Sequence, residues 1–239
     1  MMPALLLVFA LVGDAPFVSA RLVVDAADAT DLETVDAVAR ACADVESTLG
    51  PPRRRKVVTV RIASDVAHFT RVTGRPGFEA AAFTKDTLWL TPKRTRGALF
   101  NLDEVYRHEC VHAWLAAEAN GPLPRVLEEA IALKLAGQAA HLPPAEPLTV
   151  LDIESAEATL AIPRDRLRYE RTLARVSATF SSCVTSDSER LRALLAVGAH
   201  AERPLLALVG NGGPCSRTPS ASGGEGPRDG ASDAPLVRP

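Results

Sequence analysis

Asn101-Leu102-Asp103-Glu104-Val105-Tyr106-Arg107-His108-Glu109-Cys110-Val111-His112-Ala113-Trp114-Leu115 is the stretch on which the fold turns. Asn101 is placed to cap a helix, with Glu104 three residues on, and Asn120-Gly121-Pro122 supplies the stop. Its inward stripe is expected to be Leu102, Val105, Glu109, His112 and Ala116, with His108 and Leu115 on the adjoining row. Two histidines four positions apart stack on one helix face, so both imidazoles can converge on one ion. An H-E-x-x-H run suits zinc, with Glu109 beside the ion as a base for its water. Burying charged groups costs several kcal/mol, roughly, unless an ion or a hydrogen-bonded network compensates.

A three-ligand zinc site needs one more donor from a separate element. Leu123-Pro124-Arg125-Val126-Leu127-Glu128-Glu129-Ala130-Ile131-Ala132-Leu133 reads as a second helix, opened by proline and closed near Gly137. Adjacent carboxylates on a helix point ~100° apart, so one of Glu128 and Glu129 faces the metal while the other faces solvent or a base.

From about Arg21 to Gly210 the chain resembles the gluzincin zinc metallopeptidases, in particular the small peptidase MA-like domains. The likeness is specific between His108 and Ala132, where the second helix is similar to the family pattern P-x-W-L-x-E-G-L-A, and Leu88-Trp89-Leu90-Thr91-Pro92 resembles the segment before the metal helix. The resemblance implies an α+β, zincin-like fold, with His108, His112 and Glu129 as metal ligands, Zn2+ as cofactor, Glu109 as catalytic base and a peptide or protein substrate. It also implies a downstream oxyanion stabiliser, for which Tyr169 is the candidate ahead of His141 and His200. Val126 replaces the family tryptophan and Ala130 its glycine, while Leu133 and Lys134 stand where an acidic and aromatic pair is common. Those departures keep a second expectation open: a degenerate domain that binds a peptide or partner without cleaving it.

The remaining chain frames this centre. The 239 residues, 47% hydrophobic and 23% charged, are enough for one substantial core and exclude a disordered or fibrous class. A net charge of -2 gives no general attraction for nucleic acid or anionic lipid. Arg53-Arg54-Arg55-Lys56 is the dense basic run, read as a solvated loop. Leu5 to Val12 is apolar but too short for a bilayer span of about 20 residues. With Val18-Ser19-Ala20 after it, residues 1–20 are expected to be a signal peptide, leaving an exported chain with no stable membrane span. Residues 21–210 are then the zincin-like domain, and the Gly/Pro/Ser-rich residues 211–239 a disordered tail.

Strands are expected at 21–26 and 57–62, and a hairpin with arms at 78–83 and 87–91. Such an edge strand either accepts an extended peptide or pairs within the sheet. Helices are expected at 31–49, 65–72, 164–182, 188–197 and 204–209, with a loop at 141–147. His68 reads as a boundary histidine without a neighbouring partner. Cys42, Cys110, Cys183 and Cys215 lack C-x-x-C spacing, so their pairing is open. Cys110 projects to the far side of its helix from the histidines and is read as packing, and Cys215 as free. Together these features predict a small mixed sheet with an edge hairpin, followed by a mainly helical half carrying the metal helix.

Overall fold

Helix α1, Thr30–Leu49, lays its stripe of Val35, Val38, Cys42, Val45 and Leu49 against a second long helix, α3, Leu102–Glu118. The stripe alternates three and four residues, the spacing of one helix face. Each of these side chains is buried, a gain of roughly 1.5–3 kcal/mol for a fully sequestered Val or Leu. Gly50 ends α1 at φ 75° and its carbonyl accepts the indole N–H of Trp114 at 2.9 Å. The computed structural model describes residues 30–54, 58–92, 101–200 and 215. The expected leader and strand at 21–26, the helix at 204–209 and all of the tail but Cys215 lie outside those residues.

Three short strands follow: β1, Thr59–Ile62; β2, Ala81–Thr84; and β3, Thr87–Leu90, with helix α2, Val66–Thr73, between the first two. The sheet order is β1-β3-β2; β1 runs parallel to β3, and β2 antiparallel to it. Lys85 and Asp86 turn the hairpin with φ of 49° and 59°, the left-handed pair that a two-residue connection demands. The arms are shorter than the sequence suggests, because residues 78–80 form the approach to β2 and not a strand. Alternating burial of Leu88 and Leu90 turns one sheet face to the main core, while Trp89 faces Phe69 of α2 and meets the His68 ring edge-on at 5.6 Å. His68 also has a partner, the Ser64 hydroxyl, 3.1 Å from its Nδ1.

The helical half comprises α3, then α4, Arg125–Leu135; α5, Ile153–Ala161; α6, Arg166–Phe180; and α7, Ser188–His200. This small mixed sheet followed by a mainly helical region is the architecture expected from the sequence. Helix α5 is the addition. It follows a short 3-10 turn, Val150–Asp152, opened by a reciprocal cap in which Thr149 and Asp152 satisfy each other's backbone and side chain. The segment around 141 is likewise not wholly loop, since Gln138–His141 is a 3-10 turn.

Two disulfides fill in the pairing that the sequence left open. Cys42 on α1 is bonded to Cys110 on α3, and Cys183 to Cys215, so Cys215 is not free as expected. Cys110 does point away from the histidines into packed surroundings, but as a covalent tie between α1 and the metal helix. The basic run is also more than a solvated loop: the Arg53 guanidinium pairs with buried Glu118 at 2.9 Å, and the Arg54 side chain donates to the Ala117 and Ala119 carbonyls, closing the end of α3. Residues 55 and 56 lie outside those described.

Candidate metal centre

Helix α3 has little solvent face beyond its first turns. It is held by α1 on one side, β2 above and α4 below, so His108, Glu109 and His112 are all buried. Asn101 caps it through Oδ1, which accepts the Asp103 N–H at 3.0 Å. On α4, Pro124 precedes the first turn, and the cap comes from elsewhere in the chain. The Glu157 carboxylate, on α5, accepts the backbone N–H groups of Arg125 at 2.6 Å and Val126 at 2.8 Å. An anion at a helix N-terminus satisfies free donors and complements the helix dipole. The unpredicted α5 therefore fixes where α4 starts, and with it the direction of Glu129.

Of the two adjacent carboxylates, Glu129 turns inward, 1% exposed, and Glu128 turns toward Arg125, 3.1 Å from Nη1. His108, His112 and Glu129 bring ligand atoms within 4.8 Å of one another. The Nε2 atoms of the two histidines are 3.1 Å apart; His108 Nε2 is 3.2 Å from Glu129 Oε2, and His112 Nε2 is 3.8 Å from Glu129 Oε1. A tetrahedral ion with bonds of about 2.0–2.1 Å spaces its ligands ~3.3 Å apart, so these edges bracket the required value. Both Glu129 oxygens are buried between the two imidazoles and the Arg125 guanidinium, with no well-aligned hydrogen bond on either. Orphaned acceptors at the centre of a converging set are what a cation would satisfy. The buried triad, an H-E-x-x-H helix joined by a glutamate from the next helix, is consistent with a gluzincin-type metal site.

Electrostatics divide the three. Burial alone would raise the Glu129 carboxyl, but Arg125 and His108 beside it hold it well below the ordinary range. Burial pushes His108 down, and the Glu129 carboxylate 3.2 Å away more than reverses this, leaving it above the ordinary value. His112, with burial reinforced by the Arg125 charge, lies well below. Arg125 Nη2 sits 2.8 Å from Glu129 Oε1, one turn earlier on the same helix, and sequence reasoning passed over it. The spacing i, i+4 was a legible signal for that pair.

Glu109 stands beside the triad. Hydrogen-bonded pairs alternate along an antiparallel ladder, and Thr91 N–H bonds to Ala80 O, so Ala81 and Phe83 turn their N–H and C=O off the sheet. The Phe83 N–H uses that freedom to donate to Glu109 Oε2 at 2.6 Å. Burial raises the Glu109 carboxyl above its ordinary value. A cavity of about 80 Å³ opens here, and His108, Glu109, Glu129, Ala81, Arg125 and Tyr169 all line it. Tyr169 thus shares the cleft with the triad, its phenol raised well above the ordinary value by burial and by the Glu129 and Glu79 charges. His141 lies elsewhere, with Nε2 3.0 Å from Glu104. The His200 side chain lies outside the described residues.

Glu79 and Arg75 are further cleft residues not singled out from the sequence. Arg75 binds Glu79 through Nε at 2.7 Å and Nη2 at 2.8 Å. Nothing local flags a pair in the irregular approach to β2, and their burial arises from α5 and α6 far along the chain.

In comparisons with known proteins, no family model matches the chain, and no curated protein or solved structure matches it either. Among the described residues no helix is long and apolar enough to cross a membrane.

Proposed function

We propose that the chain is a zinc-dependent peptidase, with His108, His112 and Glu129 holding the ion and Glu109 as general base. The observation that carries this reading is the buried convergence of His108, His112 and Glu129 from α3 and α4, with ligand atoms within 4.8 Å of one another. Zinc, when bound, supplies Lewis acidity to a water and to the scissile carbonyl.

The protein's own groups do the rest. Phe83 N–H fixes Glu109 through Oε2, leaving Oε1 to take the proton of the attacking water and return it to the leaving amine. Its raised pKa matches that exchange, since a stronger base holds the proton long enough to pass it on. Ala81 turns its outward backbone groups toward the free edge of β2 beside the cleft, where an extended peptide finds main-chain partners. Tyr169, protonated at neutral pH, donates to the carbonyl oxygen as charge develops. The test is Glu109→Gln, which should keep zinc and lower peptide hydrolysis by about 10²–10⁴-fold. Full activity in that variant would remove Glu109 from the mechanism.

A second reading draws on Arg125. A guanidinium already seated on Glu129 supplies the third ligand with a cation, the arrangement suited to a domain that binds a peptide without cleaving it. Substoichiometric zinc in the wild type would favour that reading.

The export expectation belongs to the same proposal: residues 1–20 as signal peptide, 21–210 as the working domain and 211–239 as a tail. Two disulfides support it, since such bonds persist in oxidising compartments.

A further inference from the structure

We propose that Arg75, held by Glu79, is a positioning residue that orders Tyr169 at the edge of the metal cleft with its hydroxyl proton free to be donated. The inference rests on the peptidase reading and adds to it two residues with no place in the metal set.

Arg75 lies in the segment between α2 and β2, where it is largely buried. Its donors reach three separate elements. Nε and Nη2 grip the two Glu79 oxygens, Nη1 donates to the Leu160 carbonyl near the end of α5 at 2.7 Å, and Nη2 reaches the Tyr169 hydroxyl on α6 at 3.4 Å. The guanidinium also lies over the Tyr169 ring, 5.8 Å from its centroid, and Phe78 packs the ring from a centroid distance of 5.9 Å. One side chain thus ties the approach to β2 to the two helices on the opposite side of the cleft.

The direction of that hydrogen bond matters most. A guanidinium has donors and no acceptor, so Arg75 engages a lone pair of the Tyr169 oxygen and cannot take its hydrogen. The phenol is left as a donor in a cavity shared with His108, Glu109 and Glu129. Had Glu79 bonded the phenol directly, the proton would be occupied. Instead Glu79 spends both oxygens on Arg75, fixing the guanidinium in one plane. A buried ion pair is a costly way to secure stability alone, whereas it does fix orientation.

The chain has two tyrosines, which makes the test direct. Full-length protein is labelled with 3-fluorotyrosine, the Tyr106 resonance is assigned with Tyr106→Phe, and Tyr169 is followed by fluorine NMR in Arg75→Met, Arg75→Lys and Glu79→Gln. Each should shift or broaden the Tyr169 resonance and leave that of Tyr106 in place. In the zinc-loaded enzyme, Arg75→Met should lower kcat by about tenfold or more, with KM changed by less than about twofold, as for a group acting in the transition state. In a Tyr169→Phe background the same substitution should cost almost nothing further. Equal losses in both backgrounds would overturn the proposal, because they would make Arg75 a general structural element. An unmoved Tyr169 resonance in all three variants would overturn it too. Should Arg75→Met fail to fold, the isosteric Glu79→Gln and the charge-conserving Arg75→Lys carry both measurements. If the wild type binds zinc but cleaves no peptide, the peptidase reading fails, and the NMR arm still decides whether Arg75 orders Tyr169.

Discussion

Replacing Cys42 and Cys110 by alanine together removes the covalent tie between α1 and the metal helix, and its cost follows from chain length. The two cysteines are 68 residues apart in sequence. In the chain-entropy treatment, closing a loop of that size removes ~15 cal/mol/K from the unfolded ensemble, or ~4 kcal/mol at 25 °C. Both side chains are buried, so lost sulfur contacts add to this figure. Total stabilities of single domains are about 5–15 kcal/mol, which makes the loss a large share of what holds the fold. Urea unfolding followed by circular dichroism measures it, and at a slope of about 2 kcal/mol/M the midpoint should fall by roughly 2 M. Because Cys110 faces away from the histidines, the variant at temperatures where it stays folded should hold zinc with an affinity close to the parent's. A midpoint drop below ~0.5 M would refute the staple. So would a folded variant that had lost zinc altogether, since the sulfur bridge would then belong to the site.

Two further predictions concern the charges around the cleft. Burial raises Glu79 from 4.5 to about 7 in the folded chain, although Arg75 opposes the shift. The native state therefore holds the proton to higher pH than the unfolded state does, and stability falls as pH rises from about 4.5 to about 7, by no more than about 3 kcal/mol from this group. Glu79→Gln should remove that component, so the difference between wild-type and variant stability should vary over this window and level off above it; a constant difference would contradict the assignment. Arg125→Met removes a cation 2.8 Å from Glu129 and should tighten zinc binding in chelator competition, by about tenfold at low salt, an effect weaker affinity would refute.

The half that carries the candidate metal triad was the legible part of the sequence. Helix α3 announced both ends through Asn101 and Asn120-Gly121, and its histidines through their spacing, because helical periodicity is a local property. Glu129 was legible as one of two adjacent carboxylates, and the resemblance to the glutamate zincins preferred it. What selects it physically is the packing of α4, which buries Glu129 against the histidines and leaves Glu128 half-buried, with Arg125 bridging the two. The hairpin could be placed because Leu88-Trp89-Leu90 sits between a turn and Pro92, yet whether its N–H groups face a partner is a matter of register, which put Phe83 against Glu109.

What could not be read depends on distance along the chain. The Cys42–Cys110 bond joins segments 68 residues apart, and four cysteines leave three pairings open. Helix α5 is short, its apolar stripe reduced to Ile153, Ala156 and Leu160, and the prolines at 143, 144 and 147 bias the preceding segment toward loop. Only the Thr149–Asp152 spacing hinted at its start. Yet through Glu157 this helix supplies the anion on which α4 begins. Arg75 looks like a loop arginine until Leu160 and Tyr169, 85 and 94 residues later, fold over it.

The central claim is that His108, His112 and Glu129 hold one zinc ion, and metal content tests it most directly. The full chain, purified without chelators and measured by plasma mass spectrometry beside Glu129→Ala and His112→Ala, should carry one zinc per molecule in the wild type and far less in either variant. Wild-type protein with well under one zinc after equilibration with the metal, or variants that retain it undiminished, would contradict the account.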